Sequence, residues 1–167
     1  PDHDATLCHS SCVIADFNRM TSCPTPDECL ERALQGSRAL ARLLTARPAL
    51  AGELLAHLHE PLDAAAIRGF LPETLTEDNL KPALRELKQR AFARIVTRDL
   101  AGLAPLEEVT EAMTLIAEIS LATAQRVLMQ TLTARYGTPR NADGVPQQLI
   151  VIGMGKLGGR ELNVSSD

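Results

Sequence analysis

Apolar residues recur at helical spacing along most of this chain, and the interruptions between them are chemically specific. Thr25-Pro26-Asp27-Glu28 offers an N-cap hydroxyl, a proline at the first helical position and a glutamate three residues after the cap. That is the reciprocal pattern of a capping box, so a helix starts there. Gly36 and Ser37 break or restart it. Leu40, Leu43 and Leu44 then form an apolar stripe that Pro48 closes, and a further helix runs from Pro48 to about Leu58. Pro61 opens a short piece through Leu62, Ala66, Ile67 and Phe70 that ends at Pro72.

Two longer helices follow. The first takes Pro82 into its first turn, places Leu84, Leu87, Ala91, Ile95 and Leu100 on a buried face and ends at Gly102. On the same helix Arg90, Arg94 and Arg98 recur at i, i+4 and i+8. This ridge reads as a solvated face with Glu86 and Asp99 as local ion-pair partners; the functional alternative is contact with phosphate or an acidic partner. The second long helix runs from about Leu106 to Tyr136, with Val109, Met113, Ile116, Leu121, Ala124, Leu128 and Leu132 as a continuous core stripe.

Gly137 to Pro146 is dense in turn residues and no period crosses it, which marks an internal boundary. Leu149-Ile150-Val151-Ile152 is a β-branched run before a glycine-rich turn and reads as a strand buried on both faces. The expected organisation is a poorly ordered leader over 1–24, a helical domain over 25–136, a linker loop over 137–147 and the start of an α/β domain over 148–167.

Composition narrows this picture. Hydrophobic residues make up 45% of the 167-residue chain, but there is no Trp, one Tyr and three Phe, so the core is built from Leu and Ala and favours helices. A formal net charge of −4 argues against non-specific nucleic-acid binding. The acidic opening Pro1-Asp2-His3-Asp4 is unlike a secretory signal, and no membrane partner is expected; the chain reads as cytoplasmic. Cys8, Cys12, Cys23 and Cys29, with His3 and His9, raise a zinc site, but they lack the tight paired spacing of structural zinc and read as reduced thiols.

The candidate chemistry lies at the end, in Gly153-Met154-Gly155-Lys156-Leu157-Gly158-Gly159-Arg160-Glu161-Leu162-Asn163-Val164-Ser165-Ser166-Asp167. Gly153, Gly155 and Gly158 match the dinucleotide fingerprint G-x-G-x-x-G, which requires a helix of about ten residues next. Asn163, Ser165 and Ser166 arrive too soon for that crossover, and the phosphate-binding P-loop pattern has no match. The remaining pattern is strand, glycine turn, brief helix and acidic residue: the turn lets backbone N–H groups approach phosphates, and the carboxylate suits magnesium.

Val151 to Asp167, VIGMGKLGGRELNVSSD, resembles the signature of the bifunctional glutamine synthetase adenylyltransferase and adenylyl-removing enzymes, members of the polymerase-β-like nucleotidyltransferases. Ile95-Val96-Thr97-Arg98-Asp99-Leu100 and Tyr136-Gly137-Thr138-Pro139 are similar to the helical region that precedes the first catalytic domain there, so the resemblance covers about Pro26 to Asp167. Met154 with Glu161-Leu162-Asn163 is more similar to the first, adenylyl-removing copy.

The implied fold is mainly α, a helical N-terminal region followed by the first strand and glycine-rich turn of a truncated nucleotidyltransferase domain. The implied activity of the whole protein is phosphorolytic removal of AMP from a glutamine synthetase tyrosine, giving ADP, in the first domain. The second domain would transfer AMP from ATP, with Mg2+ as cofactor and the PII signalling protein as regulator. Gly155, Lys156, Gly158 and Gly159 would form the phosphate-side turn, Ser166 would support the loop, and Asp167 would be catalytic and the first metal ligand. From its spacing alone, Lys156 also reads as a solvated turn residue. The family continues with an apolar residue and a second aspartate, so the 167-residue chain is expected to be inactive alone. Competing expectations are a helical docking module for glutamine synthetase or PII, and a dinucleotide-binding domain. An unpaired apolar strand at Leu149 to Ile152 would also invite pairing with a second copy.

Overall fold

The computed structural model describes residues 24–165. Among these described residues seven helices follow in order: α1 (Pro26–Gly36), α2 (Arg38–Ala46), α3 (Ala49–Ala56), α4 (Ala64–Arg68), α5 (Glu77–Leu100), α6 (Leu106–Tyr136) and α7 (Gly155–Gly158). Local signals set most boundaries. The Thr25 backbone N–H donates to Glu28 Oε2 at 2.8 Å while the Glu28 N–H donates to Thr25 Oγ1, completing the capping box. Ser37 ends α1 and caps α2, its Oγ accepting from the Leu40 N–H at 3.2 Å. Gly102, at φ +73°, turns the chain out of α5.

Helix α5 starts earlier than its pattern suggests. Thr76 is its N-cap, and the Thr76 N–H donates to Asn79 Oδ1 at 2.8 Å. Pro82 therefore sits inside the helix, beyond the first turn. Its missing N–H removes one bond, to the carbonyl four residues earlier, near the solvated end where the loss is tolerated.

The bundle is organised around α5, which packs on α1, α2, α3, α4 and most extensively on α6. That central place explains why all six residues from Ala93 to Arg98 are buried, whichever way they point. Leu40, Leu58, Ile67, Leu87 and Ile95 form the fully buried centre with Ala33 and Ala112, the aliphatic core the composition requires. Cys29 belongs to this core on α1, its Sγ 3.9 Å from the Pro24 carbonyl oxygen; the other three cysteines lie outside the described residues.

The arginine ridge is the main correction to the sequence reading. Arg94 and Arg98 are buried, and the partners are neither Glu86 nor Asp99. Arg90 donates through Nε and Nη2 to Glu53 Oε1 at 2.9 and 2.6 Å and lies over the Phe70 ring. Arg94 donates to the Glu60 carbonyl at 2.8 Å. Arg98 donates to both Glu108 carboxylate oxygens at 2.8 and 2.9 Å and to the Leu58 carbonyl at 2.6 Å. Glu86 is instead held by Arg47, the C-cap residue of α2. The ridge clamps the irregular 57–62 segment and the α5–α6 connection, whose carbonyls would otherwise be buried without donors.

Helix α6 has the expected ends, but its stripe is buried only in the first half. Val109, Met113 and Ile116 are core, and the buried line runs on through Ile119, Thr123 and Val127, which leaves Leu121, Leu128 and Leu132 exposed on another side of the helix. Over an eighteen-residue window α6 is apolar enough to cross a membrane by composition alone, yet part of that window is buried in the bundle.

Candidate functional site

The chain leaves α6 at Gly137, φ +84°, and turns back through a loop closed by an isolated antiparallel bridge between Arg140 and Pro146. Asn141 organises that loop, its Oδ1 accepting the Asp143 and Val145 N–H groups at 3.0 and 2.9 Å. The strand expected at Leu149 to Ile152 is not formed: no strand exists among the described residues, and Ile150 and Ile152 are 77% and 79% exposed. A strand is a pairing between segments, and no other extended segment lies beside this one among the described residues.

The glycine-rich segment is nevertheless compact. Gly155, at φ +56°, begins the one-turn helix α7, and the Gly159 N–H donates to the Gly155 carbonyl at 2.9 Å. The Glu161 N–H donates to the Lys156 carbonyl at 2.8 Å. A side chain on Gly158 would bring its Cβ within 2.6 Å of the Gly153 carbonyl oxygen, so only glycine permits this closure. The turn thus brings together Gly155, Lys156, Gly158 and Gly159, with Lys156 exposed. The Gly158 and Gly159 amides are used within the turn, whereas a first helical turn leaves those of Gly155 and Lys156 without intrahelical partners. Ser166 and Asp167 lie outside the described residues.

Arg160 was not singled out by the sequence, and it fastens the turn to α6. Its guanidinium reaches Glu111 Oε1 at 2.5 Å and Glu118 Oε1 at 2.8 Å, two carboxylates about two turns apart on one face of α6. The hydrogen bond to Glu111, then the charge of Glu118, raises the arginine further above its ordinary value. Arg160 itself adopts a left-handed backbone, φ +59°, an uncommon conformation for a residue with a Cβ. The recurrence of Glu111 and Glu118 at i, i+7 was the available signal. Gln125 Nε2 also donates to the Leu149 carbonyl, and Leu162 and Val164 pack on the core. Between α6 and the turn lies an open pocket of about 460 Å³ bordered by Glu118, Gln125, Val151, Gly153, Gly158 and Arg160.

Among the described residues no group of three His, Cys, Asp or Glu side chains is arranged to hold a metal. The four-residue α7 also supplies no long crossover of the kind a dinucleotide-binding unit requires.

Fold and turn together define a helical bundle whose longest helix anchors a glycine-rich turn. Over residues 28–167 the chain matches the family model described as glutamate-ammonia ligase adenylyltransferase, and it belongs to that family. It is 48% identical over 147 residues, 87% of its length, to a bifunctional glutamine synthetase adenylyltransferase/adenylyl-removing enzyme of Aromatoleum aromaticum. Proteins of the same description from Burkholderia mallei and Ralstonia nicotianae are 47% and 41% identical over 81% and 92% of the chain. The chain spans 15–17% of the length of these relatives. No solved structure matches it.

Proposed function

We infer that this chain supplies the helical region and the opening of the first nucleotidyltransferase domain of a bifunctional enzyme acting on glutamine synthetase. The observation that carries the reading is the family match, which continues through the glycine-rich turn to Asp167. The first domain removes AMP from a glutamine synthetase tyrosine by phosphorolysis, giving ADP; a second domain, elsewhere in the protein, transfers AMP from ATP. PII regulates both, and the enzyme works in the cytoplasm.

In this reading Gly155, Lys156, Gly158 and Gly159 form the phosphate side of the site. The first two offer backbone amides, and Gly158 permits the close approach to Gly153. Ser166 supports the loop. Asp167 is the catalytic carboxylate, and its hard oxygen donors suit Mg2+, which supplies charge neutralisation at the transferring phosphoryl group when bound. Arg160 keeps the turn against α6 and so fixes where the phosphates are received.

A complete site needs further carboxylates, so the 167-residue chain is inactive by itself. The test is Mg2+-dependent phosphorolysis of adenylylated glutamine synthetase by the full-length parent enzyme, followed by ADP formation. Asp167→Asn is expected to lower turnover about 100-fold or more, roughly 3 kcal/mol of transition-state stabilisation. Unchanged ADP formation by that variant, or turnover by the 167-residue chain equal to the parent's, refutes the reading.

A further inference from the structure

On the face of the bundle away from the glycine-rich turn, α2, α5 and α6 enclose an open groove of about 760 Å³. Leu43 of α2 with Leu84 and Phe92 of α5 make its half-buried apolar floor. Along one edge stand Lys81, Arg85 and Lys88, at i, i+4 and i+7 of α5, and no acidic residue lines the groove. None of the three cations has an ion pair or a side-chain hydrogen bond among the described residues. Of the carboxylates near them on α5, Glu86 is engaged by Arg47, and Glu77 and Asp78, a turn before Lys81, do not line the groove. Helix α2 adds Arg38 and Arg42 and carries no acidic residue. A chain of net charge −4 therefore concentrates positive potential on one apolar groove.

We propose that this groove docks an acidic amphipathic helix of a partner protein. The apolar side of that helix would rest on Leu43, Leu84 and Phe92, and its carboxylates would meet Lys81, Arg85 and Lys88. The three cations span ~10 Å along α5, two turns, so carboxylates at i, i+4 and i+7 of a helix lying alongside match them in register. Such a helix-in-groove mode takes affinity from the apolar floor and orientation from the charged edge. A nucleic acid is a poorer occupant, because Phe92 is the single aromatic in the groove and offers no stacking platform. A flat lipid surface does not fit a concave floor. The glycine-rich turn meets a different side of α6: Glu118, Ala122 and Gln125, which border it, sit ~140–160° around the helix from Ser120, which lines the groove. The inference stands apart from the proposed chemistry and survives its failure.

The test is fluorescence anisotropy of a labelled, designed helical peptide bearing Glu at i, i+4 and i+7 and Leu on its opposite face, against the 167-residue chain. A counterpart peptide carries Lys in place of Glu. The triple variant Lys81→Glu, Arg85→Glu, Lys88→Glu is expected to weaken the Glu peptide about tenfold or more and to prefer the Lys peptide. Leu84→Asp is expected to weaken both, and added salt to raise Kd for the matched pair. Circular dichroism checks the fold; if the triple variant unfolds, Lys81→Gln with Lys88→Gln is expected to weaken the Glu peptide about threefold. The proposal is overturned if the wild-type chain does not bind the Glu peptide, binds both peptides equally, or is indifferent to these substitutions. It is also overturned if heparin or anionic phospholipid vesicles bind as tightly as the Glu peptide and show the same response to Leu84→Asp.

Discussion

Replacing Arg98 by Met tests whether the arginine ridge is a structural clamp. The guanidinium makes four hydrogen bonds: two to Glu108, one to the Leu58 carbonyl at 2.6 Å and one to the Leu103 carbonyl at 3.2 Å. Arg98 is 4% exposed at the side chain and Glu108 17%. Methionine keeps much of the stem's volume, so little of the cost is cavity formation. What remains is a half-buried carboxylate without its counter-ion and two carbonyls without this donor, at about 1–3 kcal/mol for each unsatisfied group. Water reaching Glu108 moderates the sum, which leaves an expected loss of about 3–5 kcal/mol, the range for breaking one side of a buried ion pair. For a domain of this size that corresponds to a fall in Tm of roughly 10 °C or more. Urea unfolding by circular dichroism measures it, with Glu108→Gln and the double variant completing a cycle. A loss below about 1 kcal/mol, the value of an exposed pair, would show that the ridge is a solvated face after all.

Acid titration gives a second check. Burial pushes Glu108 up, but the Arg98 hydrogen bonds, the Leu62 N–H and the charges of Arg98 and Arg94 outweigh it and hold the carboxyl below its ordinary value. A carboxylate depressed in the folded state stabilises above its unfolded pKa of about 4.3, and that contribution disappears as pH falls through the folded value. Stability is therefore expected to decline below about pH 4.3 and to do so less steeply in Glu108→Gln; identical slopes would remove Glu108 as the cause. At the turn, Gly158→Ala forces Cβ against the Gly153 carbonyl oxygen, 2.6 Å away. Faster amide exchange over Gly153 to Arg160 is expected, with Tm of the bundle shifted by no more than about 1 °C. Unchanged exchange would show that the close approach is not required.

The sequence alone determined the features whose causes are local. The Thr25–Glu28 capping box, the Gly36-Ser37 restart, the Gly102 stop and both ends of α6 are each decided within a few residues. Only the tertiary structure decided what surrounds each face. Arg94 and Arg98 have the period of an exposed ridge, yet their partners come from Glu60, Leu58 and Glu108, which local spacing does not bring to them. Leu121, Leu128 and Leu132 share the apolar character of Val109 and Met113, but the face that packing buries runs through Ile119, Thr123 and Val127 and leaves them exposed. Leu149 to Ile152 has strand composition and no strand, because β structure is completed by hydrogen bonds to a neighbouring segment. Periodicity states which side chains share a face; the packing of distant elements states whether that face meets water, a carbonyl or another helix.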